Sequence, residues 1–335
     1  MYQRGKPHRI GKHGLIRCHN ACRIKVKRTL GKGREVFTKA VKKTIGRAVR
    51  KTRSYLQSIE EEFDEKNNTG SEDQPHSTHL SVNSIFQKLL REKFAAHRPW
   101  YTWGVLQGAL LAKAIEIERI SVIEFGVAGG NGLLALERIA EKVEEICGVA
   151  VDVYGFDSGA GLPRPLDYRD CPNLFSPGHY PMDEAKLRKR LCRARLILGL
   201  VEETVSEFIA SRPPPVAFVS FDLDYYSSTM QAFKLLEAER TLLSPRIYCY
   251  FDDIMGFTYS DYNGERLAIA EFNASHSSRK ISPIYGLKYF LPTPHAQADW
   301  SEMFYMAHIF DHELYGRDDG SVRRPVGGPT DLQDI

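Results

Sequence analysis

The 335-residue chain has no apolar run near the roughly 18 residues that a membrane-crossing helix needs. Its first residues are basic, but no apolar stretch follows, so no secretory leader is expected. Cysteine is scarce: six residues, at 18, 22, 147, 171, 192 and 249, without the spacing of a disulfide framework. Cys147 and Cys249 lie in apolar runs and are expected in the core. No internal repeat is visible, which excludes solenoids and propellers. These absences predict a soluble protein of a reducing compartment, the cytoplasm, with no membrane span. Acids are nearly missing from residues 1–55, where Glu35 stands alone against 18 Lys and Arg.

The remaining residues carry 28 basic and 41 acidic groups, so the net charge of +4 joins a basic arm to an acidic body. Residues 1–55 have too few large apolar groups to offset their ordering entropy and are expected to be a mostly disordered arm. Val36, Ala40, Ile45 and Val49 could line a basic helix on an anionic surface. A nucleic-acid anchor is the sharper reading of the arm, and a solvated tail the favoured one. His13, Cys18, His19 and Cys22 match no standard zinc spacing. Residues 56–78 read as a polar linker, 79–315 as the globular domain and 316–335 as a disordered tail.

The body is organised around Ser121–Gly132. Val122, Ile123 and Phe125 suit a strand covered on both faces. Gly126, Gly129, Gly130 and Gly132 permit a tight turn, and Leu136, Ile139, Ala140 and Val143 then recur at helical spacing. Strand, glycine turn and helix form a cradle for a nucleotide-like cofactor. The spacing G-x-x-G-G-x-G differs from the dinucleotide fingerprint, which disfavours a nicotinamide dehydrogenase. Glu124, two residues before the first glycine, suits an S-adenosylmethionine pocket instead.

Upstream, helices are expected around Ile85–Phe94 and Thr102–Ile117, interrupted by Pro99. Trp100, Tyr101 and Trp103 are expected to pack inside, with a lid as the alternative. Downstream, strands are expected over 151–157, 195–198, 215–222 and 247–253, with helices between them. A helix capped by Ser227, Ser228 or Thr229 follows the fourth strand, and a final antiparallel pair is drawn from 281–291 and 303–310. Residues 164–190 form a long insertion of the kind that covers a substrate. Alternation of strand and helix means a parallel sheet with helices on both faces, and ligands sit beyond its carboxyl edge. Asp157, Asp222 and the pair Asp252 and Asp253 end strands there. Asp157, 25 residues after Gly132, is placed to accept hydrogen bonds from ribose hydroxyls. Asp222, Asp224, Asp252 and Asp253 would repel one another unless a cation neutralised them, and an all-oxygen set suits Mg²⁺, Ca²⁺ or Mn²⁺. Such an ion could lower the pKa of a substrate hydroxyl while a remaining carboxylate acts as base. Capping acids at strand ends are the plainer reading. His308 and His312 are expected to be packed or at the surface.

Residues from about 98 to 315 resemble class I S-adenosylmethionine-dependent methyltransferases, and among them the macrocin O-methyltransferase-like group. The resemblance rests on Val122-Ile-Glu-Phe-Gly-Val-Ala-Gly-Gly130, Tyr154-Gly-Phe-Asp-Ser-Gly-Ala-Gly-Leu-Pro163, Phe221-Asp-Leu-Asp-Tyr-Tyr-Ser-Ser-Thr229 and Phe251-Asp-Asp253. It implies an α/β, Rossmann-like, doubly wound seven-stranded sheet with the last strand antiparallel. It places Glu124, Gly126, Val127, Gly129, Gly130, Asn131, Asp157 and Ser158 around S-adenosyl-L-methionine. It also implies Mg²⁺ held by Asp222, Asp252 and Asp253, with Asp224 the candidate base. Two positions depart from the family: Leu223 stands where Gly is usual, and Leu200 where an adenine-side acid is frequent, so that Glu202 or Glu203 would have to substitute. The expected activity is O-methylation of a hydroxylated small molecule or sugar. Methyl transfer to RNA anchored by the arm and a non-catalytic binding protein are the alternatives, and homo-oligomerisation is left open.

Overall fold

The computed structural model describes residues 82–317. The expected arm and linker lie outside the described residues, as does the tail beyond 317. Three helices open the fold: α1 (Val82–Leu89), α2 (Lys93–His97) and α3 (Pro99–Ala114). Pro99 does not interrupt a helix but starts one. At the first helical position its missing N–H costs nothing and its fixed φ suits the turn. Helix α3 therefore begins three residues before the expected Thr102.

The strands are β1 (Arg119–Phe125), β2 (Ala150–Asp157), β3 (Arg195–Leu198), β4 (Val216–Phe221), β5 (Leu243–Phe251), β6 (Arg279–Pro283) and β7 (Phe304–Ile309). Between them run α4 (Asn131–Cys147), the short α5 (Glu184–Arg188), α6 (Val201–Ala210), α7 (Tyr226–Ala232) and α8 (Gly264–Ser275). The sheet order is β3-β2-β1-β4-β5-β7-β6. Strands β3 to β5 are parallel, and β7 is antiparallel to both β5 and β6. The expected α/β seven-stranded sheet with an antiparallel last strand is present.

Alternation along β1 splits the core into two layers. Ile120 and Val122 face the layer built by α1, α3 and α4, while Ile123 and Phe125 face the layer of α6, α7 and α8. Helix α3 buries residues all around its circumference, because it packs on β1, β4 and β5 and is covered by α1 and α4. Cys147 and Cys249 are buried as expected. Strand β1 pairs with β2 on one side and β4 on the other, so the chain order reverses there. That reversal opens a crevice at the carboxyl edge between β1 and β4.

Candidate functional site

A cavity of about 500 Å³ occupies this crevice. Gly126, Ala128, Asp157 and Ser158 line one end, with Gly199, Leu200 and Val201 from the turn after β3. Asp222, Asp224, Asp252, Asp253 and Tyr259 line the other. Phe175 and Tyr180 of the expected insertion also line it, with Leu162 and Pro163 from just before it. Arg98, before α3, is the single basic side chain among its described lining residues.

Close backbone approach fixes the glycine turn. A Cβ on Gly126, at φ +87°, would stand 1.7 Å from the carbonyl oxygen of Asp222, so β1 and β4 meet here only because the side chain is missing. A Cβ on Gly132 would stand 1.8 Å from Glu124 Oε1. Glu124 is 3 % exposed and lies behind the turn, not on the cavity wall. Its Oε1 accepts a hydrogen bond from the Tyr101 hydroxyl at 2.7 Å, and its Oε2 has no partner. Burial pushes its carboxyl up to about 8, against the downward pull of the Tyr101 hydrogen bond and the Arg98 charge. The aromatic cluster at the start of α3 thus packs inside, and Tyr101 also serves the acid.

Asp157 spends its carboxylate on the turn. Oδ2 accepts from the N–H groups of Val127 (3.0 Å) and Ala128 (2.8 Å), and Oδ1 from Gly159 N–H (2.7 Å). The side chain still borders the cavity next to Ser158. Val127 is buried, Gly130 faces the Leu187 side chain, and Asn131 borders a different groove. The structure therefore brings Gly126, Asp157, Ser158 and the four acids into one cavity, and leaves Glu124, Val127, Gly129, Gly130 and Asn131 off its wall. Glu202 and Glu203, in the first turn of α6, do not line it; Leu200 and Val201 do. His308 lies on β7, which runs away from this edge, and pairs with the Tyr315 hydroxyl at 2.8 Å.

The acid end is a network. Asp253 Oδ1 accepts from the Tyr259 hydroxyl (2.6 Å) and Oδ2 from Asp224 N–H (3.1 Å). Asp252 Oδ1 accepts from the Tyr250 hydroxyl at 3.1 Å. Asp224 has φ +60°, a left-handed conformation that costs a non-glycine residue energy and that Asp tolerates better than most. Burial, then Asp253 and Asp252, push its carboxyl up to about 8. Asp222 is raised well above the carboxylate range by burial and by Asp252, Asp253 and Asp224; Asp253 is raised by burial and Asp252.

Two members escaped the sequence. Glu265, in the first turn of α8, is fully buried; its Oε2 accepts from Asp253 N–H at 3.0 Å and its Oε1 has no partner. Burial, with Asp253 and Asp222, raises its carboxyl strongly. Asp170, in the insertion, is also buried. Its Oδ1 accepts from Ser227 N–H (2.8 Å), and its Oδ2 from the Ser227 hydroxyl (3.0 Å) and Leu166 N–H (2.8 Å). This corrects the expected cap: α7 starts at Tyr226, its N-cap residue Tyr225 makes no side-chain cap bond, and the first-turn N–H of Ser227 is taken by Asp170 from the insertion. A lone Glu before a helical pattern, or an Asp in a Pro-rich loop, carries no local signal of these roles.

Among the described residues, no three acids, histidines or cysteines surround one point closely enough to ligate an ion. The donor set still suits a hard cation: all oxygen and crowded, with Asp222, Asp224 and Asp253 raised first by burial and then by neighbouring carboxylates, and backed by the unpartnered Glu265 Oε1.

No protein-family model matches the chain, and no curated protein does. Solved structures resemble it at low identity. The calicheamicin methyltransferase CalS11 is 19% identical over 71% of this chain and 94% of that one, with a TM-score of 0.41. An O-methyltransferase from Bacillus cereus, in complex with SAH, is 16% identical over 69% and 93%, with a TM-score of 0.32. TomG of Streptomyces achromogenes, an O-methyltransferase involved in tomaymycin synthesis and solved with SAM, is 13% identical over 75% and 96%, with a TM-score of 0.34. At these identities the likeness is one of fold.

Proposed function

We propose that the protein is an S-adenosylmethionine-dependent O-methyltransferase acting on a hydroxylated small molecule, with assistance from a hard divalent cation. The observation that carries this reading is one cavity holding a glycine-turn cradle at one end and four strand-end aspartates at the other. The motif resemblance to macrocin O-methyltransferase-like enzymes points to a sugar as acceptor.

S-adenosylmethionine, when bound, supplies an electrophilic methyl group that a hydroxyl oxygen takes in line. A divalent ion such as Mg²⁺, when bound by Asp222, Asp252 and Asp253, supplies the charge that lowers an acceptor hydroxyl's pKa. The chain supplies the rest. Gly126 and Ala128 would let the donor approach the backbone, Asp157 and Ser158 would hold its ribose, and Leu200 and Val201 would offer an apolar wall to its base. Asp224 takes the acceptor hydroxyl's proton onto its carboxylate. The insertion after β2 brings the apolar side chain of Phe175 to the wall of the cavity that holds the acids.

Calorimetric titration with S-adenosylhomocysteine tests the donor half; no heat of binding at about millimolar ligand overturns it. For the cation half, chelator and Asp252→Ala should each lower turnover by about tenfold or more, and full activity in either case sinks it. Asp224 works only when ionised, so turnover in limiting metal should rise with pH through an inflection near 8. Added cation favours the ionised form and should move that inflection to lower pH.

A further inference from the structure

Behind the catalytic cavity lies a second space, a groove of about 460 Å³. Arg98, Arg138 and Arg190 line it, together with His97 and Asn131. No acid is among its described lining residues. Arg138 and Arg190 make no ion pair or side-chain hydrogen bond among the described residues, and Arg98 has ring contacts with Trp100 and Tyr101 but no ion pair. The body around them carries 41 acids against 28 bases, and several of its arginines are paired, as Arg193 is to Glu144 and Arg119 to Asp152. Arg138 and Arg190 bring two positive charges to the wall of a hollow that has no acid among its described lining residues, and an anion is the complementary occupant. Asn131 is the first residue of the 17-residue α4, so the positive end of that helix also faces the groove. The floor is apolar, made by Phe94 and Leu134.

We propose that this groove is an anion site for a small molecule carrying a phosphate or diphosphate group. Guanidinium groups match phosphate oxygens in paired hydrogen bonds and stay charged at any working pH. The volume takes a diphosphate together with a ring of sugar size on the Phe94 and Leu134 floor. Arg98 borders both this groove and the catalytic cavity, so the phosphorylated molecule sits next to the donor site. The proposal stands on the arginines alone and does not depend on the methyl-transfer reading.

The test is a calorimetric titration of the full chain with inorganic pyrophosphate at low and moderate salt. The comparison is Arg138→Gln with Arg190→Gln, two exposed residues outside the catalytic cavity. The double variant should bind pyrophosphate about tenfold more weakly or worse, while its affinity for S-adenosylhomocysteine stays within about twofold. An unchanged thermal midpoint establishes that it folds, and a double Lys variant should recover part of the affinity through charge alone. The basic arm is present in every sample, so equal pyrophosphate binding by wild type and double variant assigns the anion to the arm and overturns the proposal. So does wild-type protein that binds no pyrophosphate at about 10 mM. A short single-stranded RNA that binds wild type but not the variant, with no pyrophosphate binding by either, makes the groove a nucleic-acid contact and overturns it equally.

Discussion

Glu124 shows how burial assigns chemistry to one residue. Its carboxyl is held at about 8, against an ordinary value near 4.5, because it lies under the glycine turn with a single donor, Tyr101. Below about pH 4.5 the group is protonated in the folded and unfolded chain alike. Between there and about 8 the folded chain keeps a proton that the unfolded chain releases, so this residue's contribution to stability declines as pH rises. Glu124→Gln keeps an acceptor for Tyr101 and removes the titration. The variant should match wild type in thermal midpoint near pH 5 and exceed it near pH 9 by several degrees, on the order of a few kcal/mol. Equal midpoints at pH 9 would show that the carboxyl is not held neutral. The sequence marked Glu124 by position. That it lies behind the cradle depends on α3, which delivers Tyr101 from 23 residues upstream.

At the scale of elements, the insertion after β2 is pinned at its middle. Asp170 ties Leu166 to Ser227 at the start of α7, Phe175 packs edge-on against Tyr225, and the Tyr225 hydroxyl donates to Pro163 O at 3.2 Å. Asp170→Ala leaves three donors without their acceptor and should cost about 2–3 kcal/mol. Limited proteolysis should then cut faster within 158–183, and KM for the acceptor should rise more than kcat falls. A cleavage pattern like that of wild type would mean that the insertion is held by its aromatic contacts instead. Length and composition marked this segment as a candidate cover. They could not identify its anchor, because two of the three donors come from Ser227, in a helix nearly 60 residues later in the chain.

For the molecule as a whole, charge separates two tasks. Removing residues 1–55 takes away 18 basic groups and one acid and turns a chain of +4 into one of −13. If the arm serves only as a solvated or electrostatic appendage, the shortened protein should keep its affinity for S-adenosylhomocysteine. Any RNA affinity should fall steeply, along with its salt dependence. RNA binding that survives the deletion places the contact on the body.

Local pattern along the chain is enough to specify the sheet. Its buried strands, the glycine turn after β1 and the acids ending β2, β4 and β5 are local patterns, written in side-chain period and backbone freedom. That pattern also puts these acids on one edge, since parallel strands joined by helices end on the same side. Which groups touch follows from how the elements pack against one another. Packing put Glu124 behind the turn, gave Asp157 to the amides of Val127 and Ala128, and set Glu265 against Asp253. It also gathered Arg98, Arg138 and Arg190 from three separate elements around one groove. The hydrogen bonds join residues from 12 to 30 positions apart, and no spacing rule along the chain encodes how elements pack across a sheet.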